Sequence, residues 1–157
     1  MNSPGARAVV EELLVNYVAC LDDGRFEEWP DHFTENCRYQ IISRSSQQRG
    51  LPSGFYFCDS RNMLHDRVLA LRHTSVFVPQ TYRHVLNGTR IVSVEGDVYR
   101  AKTNYLVVRT IQGGEMTLFA SGEYVDTVVL ADGGAKFSEK VVVTDSDAFD
   151  MYLLAPL

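Results

Sequence analysis

The chain has 157 residues, 45% of them hydrophobic and 22% charged, which is one domain's worth with material for a real core. A net charge of -5 and a pI near 5.3 argue against a general nucleic-acid binder, because nothing would offset phosphate repulsion. No apolar run approaches the roughly 20 residues that span a bilayer, and the opening residues lack a basic then apolar leader pattern.

Cys20, Cys37 and Cys58 are odd in number and widely spaced, which suits free thiols in a reducing cytoplasm better than a disulfide framework. Lys102, Lys136 and Lys140 are the only lysines among 15 basic residues. Arginine is enriched at protein interfaces because its guanidinium is weakly hydrated and bonds in a planar fork. A coding bias explains the same excess equally well.

In chain order, Ser3-Pro4 reads as a helix start, with serine at the N-cap and proline first inside. Ala6, Val9, Val10, Leu13, Leu14, Tyr17, Val18 and Leu21 then recur at helical spacing, and Asp22-Asp23-Gly24 stops the run. A short second helix is expected over 26–33, carrying Trp29 and Phe33 inward. Cys37, Tyr39 and Ile41 alternate with polar neighbours as a strand. Residues 43–54 read as a long polar loop. Asp59 or Ser60 caps a third helix with Met63, Leu64, Val68 and Leu71 on one face.

After a linker containing Pro79, four β-rich runs are expected over 85–94, 98–111, 115–130 and 135–144, separated by short glycine-bearing turns. Asn87-Gly88-Thr89 matches a glycosylation sequon but reads better as an Asn-Gly turn. The sum is a single α+β domain over 1–157, three N-terminal helices on a strongly curved, mostly antiparallel sheet. Leu106-Val107-Val108, Leu118-Phe119-Ala120 and Val141-Val142-Val143 place apolar side chains on both faces of that sheet. One face takes the helices, and the other calls for a subunit contact unless the sheet curls over itself. The apolar tail 151–157 points the same way.

Metal chemistry has little to build on. The cysteines are followed two residues on by Asp22, Tyr39 and Ser60, so there is no Cys-x-His pair for a Rieske cluster. His32, His65, His73 and His84 are scattered, and His65 and His73, eight apart on one helix, lie ~12 Å apart. Phosphate-binding glycine motifs and a nucleophile elbow are absent. Acid–base work has candidates: a capped pocket could gather His84, Tyr39, Tyr105 and Asp31 or Asp126. For His84 the plainer reading is a structural histidine bonded to backbone or to a partner. Tyr82-Arg83-His84 is dense in interface-prone residue types and reads as a contact point.

Several tracts, taken in order, resemble the β subunits of aromatic-ring-hydroxylating dioxygenases. They are Trp29-Pro30-Asp31-His32-Phe33 before Cys37-Arg38-Tyr39, then Gly50-Leu51-Pro52. Met63-Leu64-His65-Asp66-Arg67-Val68-Leu69-Ala70-Leu71-Arg72 and Tyr82-Arg83-His84-Val85 follow. Ala120-Ser121-Gly122-Glu123-Tyr124-Val125-Asp126 and Asp145-Ser146 complete the set. The likeness runs from about Val10 to the end, is nearest to systems for terephthalate, anthranilate or salicylate, and departs at His32.

The resemblance implies the cystatin-like cone of the nuclear transport factor and ketosteroid isomerase superfamily. It implies a soluble cytoplasmic, non-catalytic β subunit, with no catalytic, cofactor or metal residues of its own. Three such chains would sit as a trimer against three catalytic α subunits. The α subunits would hold a Rieske [2Fe-2S] cluster and a mononuclear Fe(II), with NAD(P)H electrons arriving through a separate reductase. Trp29, Tyr82, Arg83 and His84 are the expected assembly contacts. The rival is a stand-alone cone-fold dehydratase, isomerase or polyketide cyclase using His84 or a buried carboxylate as general base. A third reading is a domain that binds a small ligand without turning it over.

Overall fold

A computed structural model describes residues 4–52, 54–73, 79–131, 134–148 and 155–157. Helix α1 (Pro4–Asp22) buries Val10, Leu13, Leu14, Tyr17, Cys20 and Leu21, the stripe that 3.6-residue spacing dictates. Burying a side chain such as Leu14 stabilises by about 1.5–3 kcal/mol. Ser3, the expected cap, lies outside the described residues. Beyond Asp22 the chain turns on Asp23 N–H to Ala19 O, 2.9 Å, and Gly24 N–H to Leu21 O, 3.0 Å. The expected second helix is a 3-10 helix, Phe26–His32, and Phe33 already begins strand β1 (Phe33–Ser43). Pro30 inside it lacks the N–H an α-helix would need. Trp29 and Phe33 are fully buried.

One element interrupts the expected loop over 43–54, and a short strand follows it. Helix α2 (Arg44–Gln48) starts on Ser43, whose hydroxyl accepts from Ser46 N–H at 3.2 Å. Strand β2 (Tyr56–Cys58) pairs antiparallel with β1, Tyr39 opposite Cys58. Ser60 caps helix α3 (Arg61–His73), its hydroxyl accepting from Met63 N–H. Leu64 and Val68 are that helix's buried residues.

Strands β3 (Gln80–Glu95), β4 (Val98–Ile111), β5 (Met116–Ala131) and β6 (Gly134–Thr144) form the expected antiparallel meander. The sheet order is β2-β1-β6-β5-β4-β3, with β1 and β6 running parallel. Strand β3 starts at Gln80, five residues before the run read as β-rich, because Thr81, Tyr82, Arg83 and His84 pair fully with β4. Asn87-Gly88 is a bulge within β3 rather than a turn. The register slips between Asn87 and Arg90, and Gly88 takes φ +70, a conformation side chains other than glycine rarely adopt. Further bulges at Val92 on β3, Phe119 on β5 and Ser138 on β6 add local twist and curl the sheet. At Gly122 a Cβ would stand 1.9 Å from Val143 O, so only glycine lets β6 come this close.

The concave face closes over an aromatic interior. Tyr39 meets Trp29 edge-on at 5.1 Å and Tyr56 at 5.6 Å, while Tyr17 meets Phe137 at 5.4 Å. Edge-to-face pairs of this kind add about 0.5–1.5 kcal/mol each beyond burial. The described end of the tail, 155–157, turns inward, with Pro156 and Leu157 buried in this chain's own core. The apolar tail 151–157 calls for a cover; residues 155–157 find it within this chain, and 151–154 lie outside the described residues. Among the described residues no helix is long and apolar enough to cross a membrane.

Candidate functional site

Three polar constellations share the interior. The first joins the end of α1 to β3. The Asp22 carboxylate accepts from the His84 main-chain N–H at 3.1 and 3.2 Å, and its Oδ1 stands 2.6 Å from His84 Nδ1. Both side chains are at most 5% exposed. In a neutral imidazole this makes Nδ1 the donor and leaves Nε2 with a lone pair. That Nε2 is buried without a hydrogen-bond partner among the described residues. It borders a cavity of about 10 Å3 lined by Leu21, Phe26, Tyr82, His84 and residues 155–157, room for about one water.

The second constellation is a fully buried ion pair. Asp126 on β5 and Lys140 on β6 sit opposite each other in the ladder, with Nζ 3.1 Å and 3.2 Å from the two carboxylate oxygens. The ammonium also lies 3.6 Å from the Tyr124 ring centroid and 4.6 Å from that of Tyr17. Burial lowers the Lys140 pKa to about 8 and raises that of Asp126, while each partner's charge opposes the shift. Aromatic faces and one carboxylate compensate an ammonium that has left water.

The third holds the tail. Tyr17 Oη and Tyr39 Oη both donate to the main-chain oxygen of Leu157, at 2.6 and 3.1 Å. Tyr39 Oη in turn accepts from Leu157 N–H at 2.9 Å. Burial pushes both phenols well above their usual range, so they are O–H donors at neutral pH.

The residues singled out from sequence are distributed unevenly. Along β3 the pleat turns Tyr82 and His84 inward and Arg83 outward. Tyr82 packs on Phe119 at 5.1 Å, and His84 is buried. Arg83's side chain is 75% exposed, its Nη1 3.8 Å from Asp22 Oδ2. Trp29 lies wholly in the core. Of the acid–base candidates, Tyr39 and Asp126 face the interior, Tyr105 stacks on Tyr124 at 4.5 Å, and Asp31 is exposed. Asp22, Lys140, Tyr17 and Leu157 escaped sequence reasoning. Asp22 was read only as part of a helix stop, and Lys140 shows itself only once the β5–β6 register is known.

Among the described residues no three His, Cys, Asp or Glu side chains converge so as to hold a metal ion. Cys20, Cys37 and Cys58 are free and buried. Burial raises the Cys20 and Cys37 thiols to about 11, far from the reactive thiolate range.

On the convex face of β3–β5 the polarity is reversed. Arg83, Val108 and Leu118 lie in one cross-strand row, with Val85 opposite Leu106 in the next and Thr110 opposite Met116 on the other side. Met116 and Leu118 are 68% and 67% exposed, and Val85 and Leu106 also stand out. A contiguous exposed apolar patch with a guanidinium at its edge is the signature of an association surface.

A helix-backed sheet curled around an aromatic interior, with an apolar convex face, defines a cone-type α+β domain. Within that class, residues 17–151 match the model of the ring hydroxylating beta subunit family. The chain belongs to this family, the β subunits of aromatic-ring-hydroxylating dioxygenases. It is 37% identical to the anthranilate 1,2-dioxygenase small subunit of Burkholderia cepacia, over 90% of this chain and 88% of that one. It is 35% identical to the terephthalate 1,2-dioxygenase terminal oxygenase component subunit beta 1 of Comamonas sp., over 90% and 92%. Among solved structures, the β subunit assigned to an aromatic-ring-hydroxylating dioxygenase of Novosphingobium aromaticivorans superposes with a TM-score of 0.88. That structure is 35% identical and covered to 97% on both sides.

Proposed function

We propose that the chain, acting as one unit over 1–157, is the non-catalytic β subunit of a Rieske-type non-haem iron oxygenase for an aromatic carboxylate. Its work is to hold catalytic α subunits in place. The observation that carries this reading is the exposed patch of Val85, Leu106, Met116 and Leu118 on a chain of this family. The aromatic-carboxylate class is supported by the anthranilate and terephthalate enzymes among its relatives. In this reading three α and three β chains associate in the cytoplasm, the β chains also touching one another. The [2Fe-2S] cluster and the mononuclear Fe(II) reside in α, fed by an NAD(P)H-dependent reductase. Of the proposed contacts Trp29, Tyr82, Arg83 and His84, the reading of Arg83 is supported by its exposed side chain. Trp29 and His84 are buried, and Tyr82 packs against Phe119.

The stand-alone enzyme reading is disfavoured by Leu157, which fills the interior that a substrate would need. The test is co-expression with the cognate α chain, followed by light scattering and visible absorbance. A complex of three α and three β chains, with iron–sulfur absorbance in the α chain alone, is the expected result. A β chain recovered free of α sinks the proposal.

A further inference from the structure

Of the six asparagines, at 2, 16, 36, 62, 87 and 104, Asn87 alone is followed by glycine. The pair lies on β3, an edge strand of the sheet, and both residues are exposed. A side chain at position 88 would screen the main-chain nitrogen of the peptide that joins them, and glycine has none. On the side where a Gly88 Cβ would stand, Asn104 Nδ2 is the one described atom within 4 Å, at 3.4 Å. The ladder to β4 pairs Asn87 with Asn104 and resumes only at Arg90 with Lys102. The Asn87–Gly88 peptide therefore borders the break that the bulge makes in the ladder, where pairing holds the backbone least.

We propose that Asn87 is a site of spontaneous deamidation, a covalent change that needs no reagent but water. The Gly88 main-chain nitrogen attacks Asn87 Cγ and forms a C–N bond. Its proton passes through water to the side-chain nitrogen, the old Cγ–N bond breaks, and ammonia departs. Water then opens the five-membered imide at either carbonyl. One opening gives aspartate. The other gives isoaspartate, in which the main chain runs through the former side chain and is one methylene longer. Either product carries a carboxylate where a neutral amide stood, with ammonium as the second product. Val85 lies two residues before Asn87 on the outward face of β3, and Glu123 stands opposite Asn104 in the same cross-strand row. The new charge thus sits between the exposed patch of Val85 and Leu106 and an existing carboxylate. The modification does not depend on oxygenase assembly. Its consequence rests on that reading: a modified chain docks poorly, because a charge must leave water at the contact.

The experiment incubates the folded full chain in mildly alkaline buffer, with a urea-unfolded sample beside it to give the unprotected rate. Trypsin then releases residues 84–90, a peptide in which Asn87 is the one asparagine. Mass spectrometry is expected to show the gain of an amide turned to an acid, in two products that chromatography separates as aspartate and isoaspartate. The folded rate is expected within about tenfold of the unfolded one, because a bulged edge strand opens locally at little cost. Stronger protection overturns the proposal, as does equal conversion of the peptide 103–109, which bears Asn104. Asn87→Asp, which carries one product's carboxylate from the start, tests the consequence. It is expected to recover at least about twofold less α chain on affinity purification than the unmodified protein. Full recovery overturns the consequence and leaves the modification standing. An unmodified protein that recovers no α chain counts against the assembly reading, and the mass measurement still decides the site.

Discussion

The interior of the cone and the convex face of β3–β5 exchange the characters usual for inside and outside. Inside are an aspartate, a lysine and an Asp–His pair, all buried. Outside are Met116 and Leu118, two-thirds exposed. A buried ion pair is weak evidence for stability, since the desolvation of both ions offsets most of their attraction. An exposed apolar patch adds nothing to the stability of a lone chain. Both are explained by specificity: the inner pairs fix which strand faces which, and the outer patch fixes what the chain meets. The inversion separates residues that set shape from residues that set company.

That division can be broken most severely at Asp126. Replacing it by Ala strands a buried ammonium, and the expected loss in urea-monitored stability is about 3–5 kcal/mol. The double variant Asp126→Leu with Lys140→Met should recover most of it; failure to recover would mean that the pair stabilises the fold outright. Tyr39→Phe comes next. It removes two hydrogen bonds to Leu157, and the expected loss is about 1–3 kcal/mol by the same measurement.

On the outside, Leu118→Asp should shift the stability of the lone chain by less than about 0.5 kcal/mol. It should nonetheless reduce the α chain recovered with it on affinity purification. A large stability loss would show that the patch belongs to the core after all.

The smallest effect is at Arg72. It binds Glu27 at 2.6 and 2.8 Å, donates to Gly24 O at 2.9 Å and lies 5.3 Å from the Phe26 ring centroid. This hydrogen-bonded guanidinium holds the Glu27 carboxyl down at about 2. The carboxyl therefore binds fewer protons folded than unfolded between about 4.3 and that value. Its contribution is present above the unfolded value and fades as pH falls through the folded one. Both groups are solvent-exposed, so the contribution is small. In Arg72→Ala the acid limb of the unfolding curve should start from lower stability and lose this component of its slope.

The helices and the four long strands were legible because period-3.6 stripes and glycine-bearing separators are local signals. Residues 80–84 were not, since Gln80, Thr81, Tyr82 and Arg83 lack apolar alternation, and the β4 register recruits them into β3. Strand β2 is three residues long, and α2 is a single polar turn, both held by tertiary pairing rather than propensity. The Asn87-Gly88 signal was real but marks a bulge, because the flanking residues continue one strand instead of returning. At the site, Tyr39, His84 and Asp126 were legible as candidates. Their partners Leu157, Asp22 and Lys140 were not, for contacts 118 and 62 residues apart leave no trace in local spacing. The cross-strand partner of Asp126 needs a register that the bulge at Ser138 shifts by one residue.

The parallel pairing of β1 with β6 carries a consequence for the chain's birth. Ile41 finds Val142, and Gln40 finds Val141, across about a hundred intervening residues. At ~5–20 residues per second on a ribosome, the strand that bears Tyr39 waits on the order of 5–20 s for its neighbour to be made. Through that interval Tyr39, Ile41 and Ile42 have no β6 to cover them, and the nascent chain is at its most adhesive. The helices and strand β2, all made before β6, can cover part of it in the meantime.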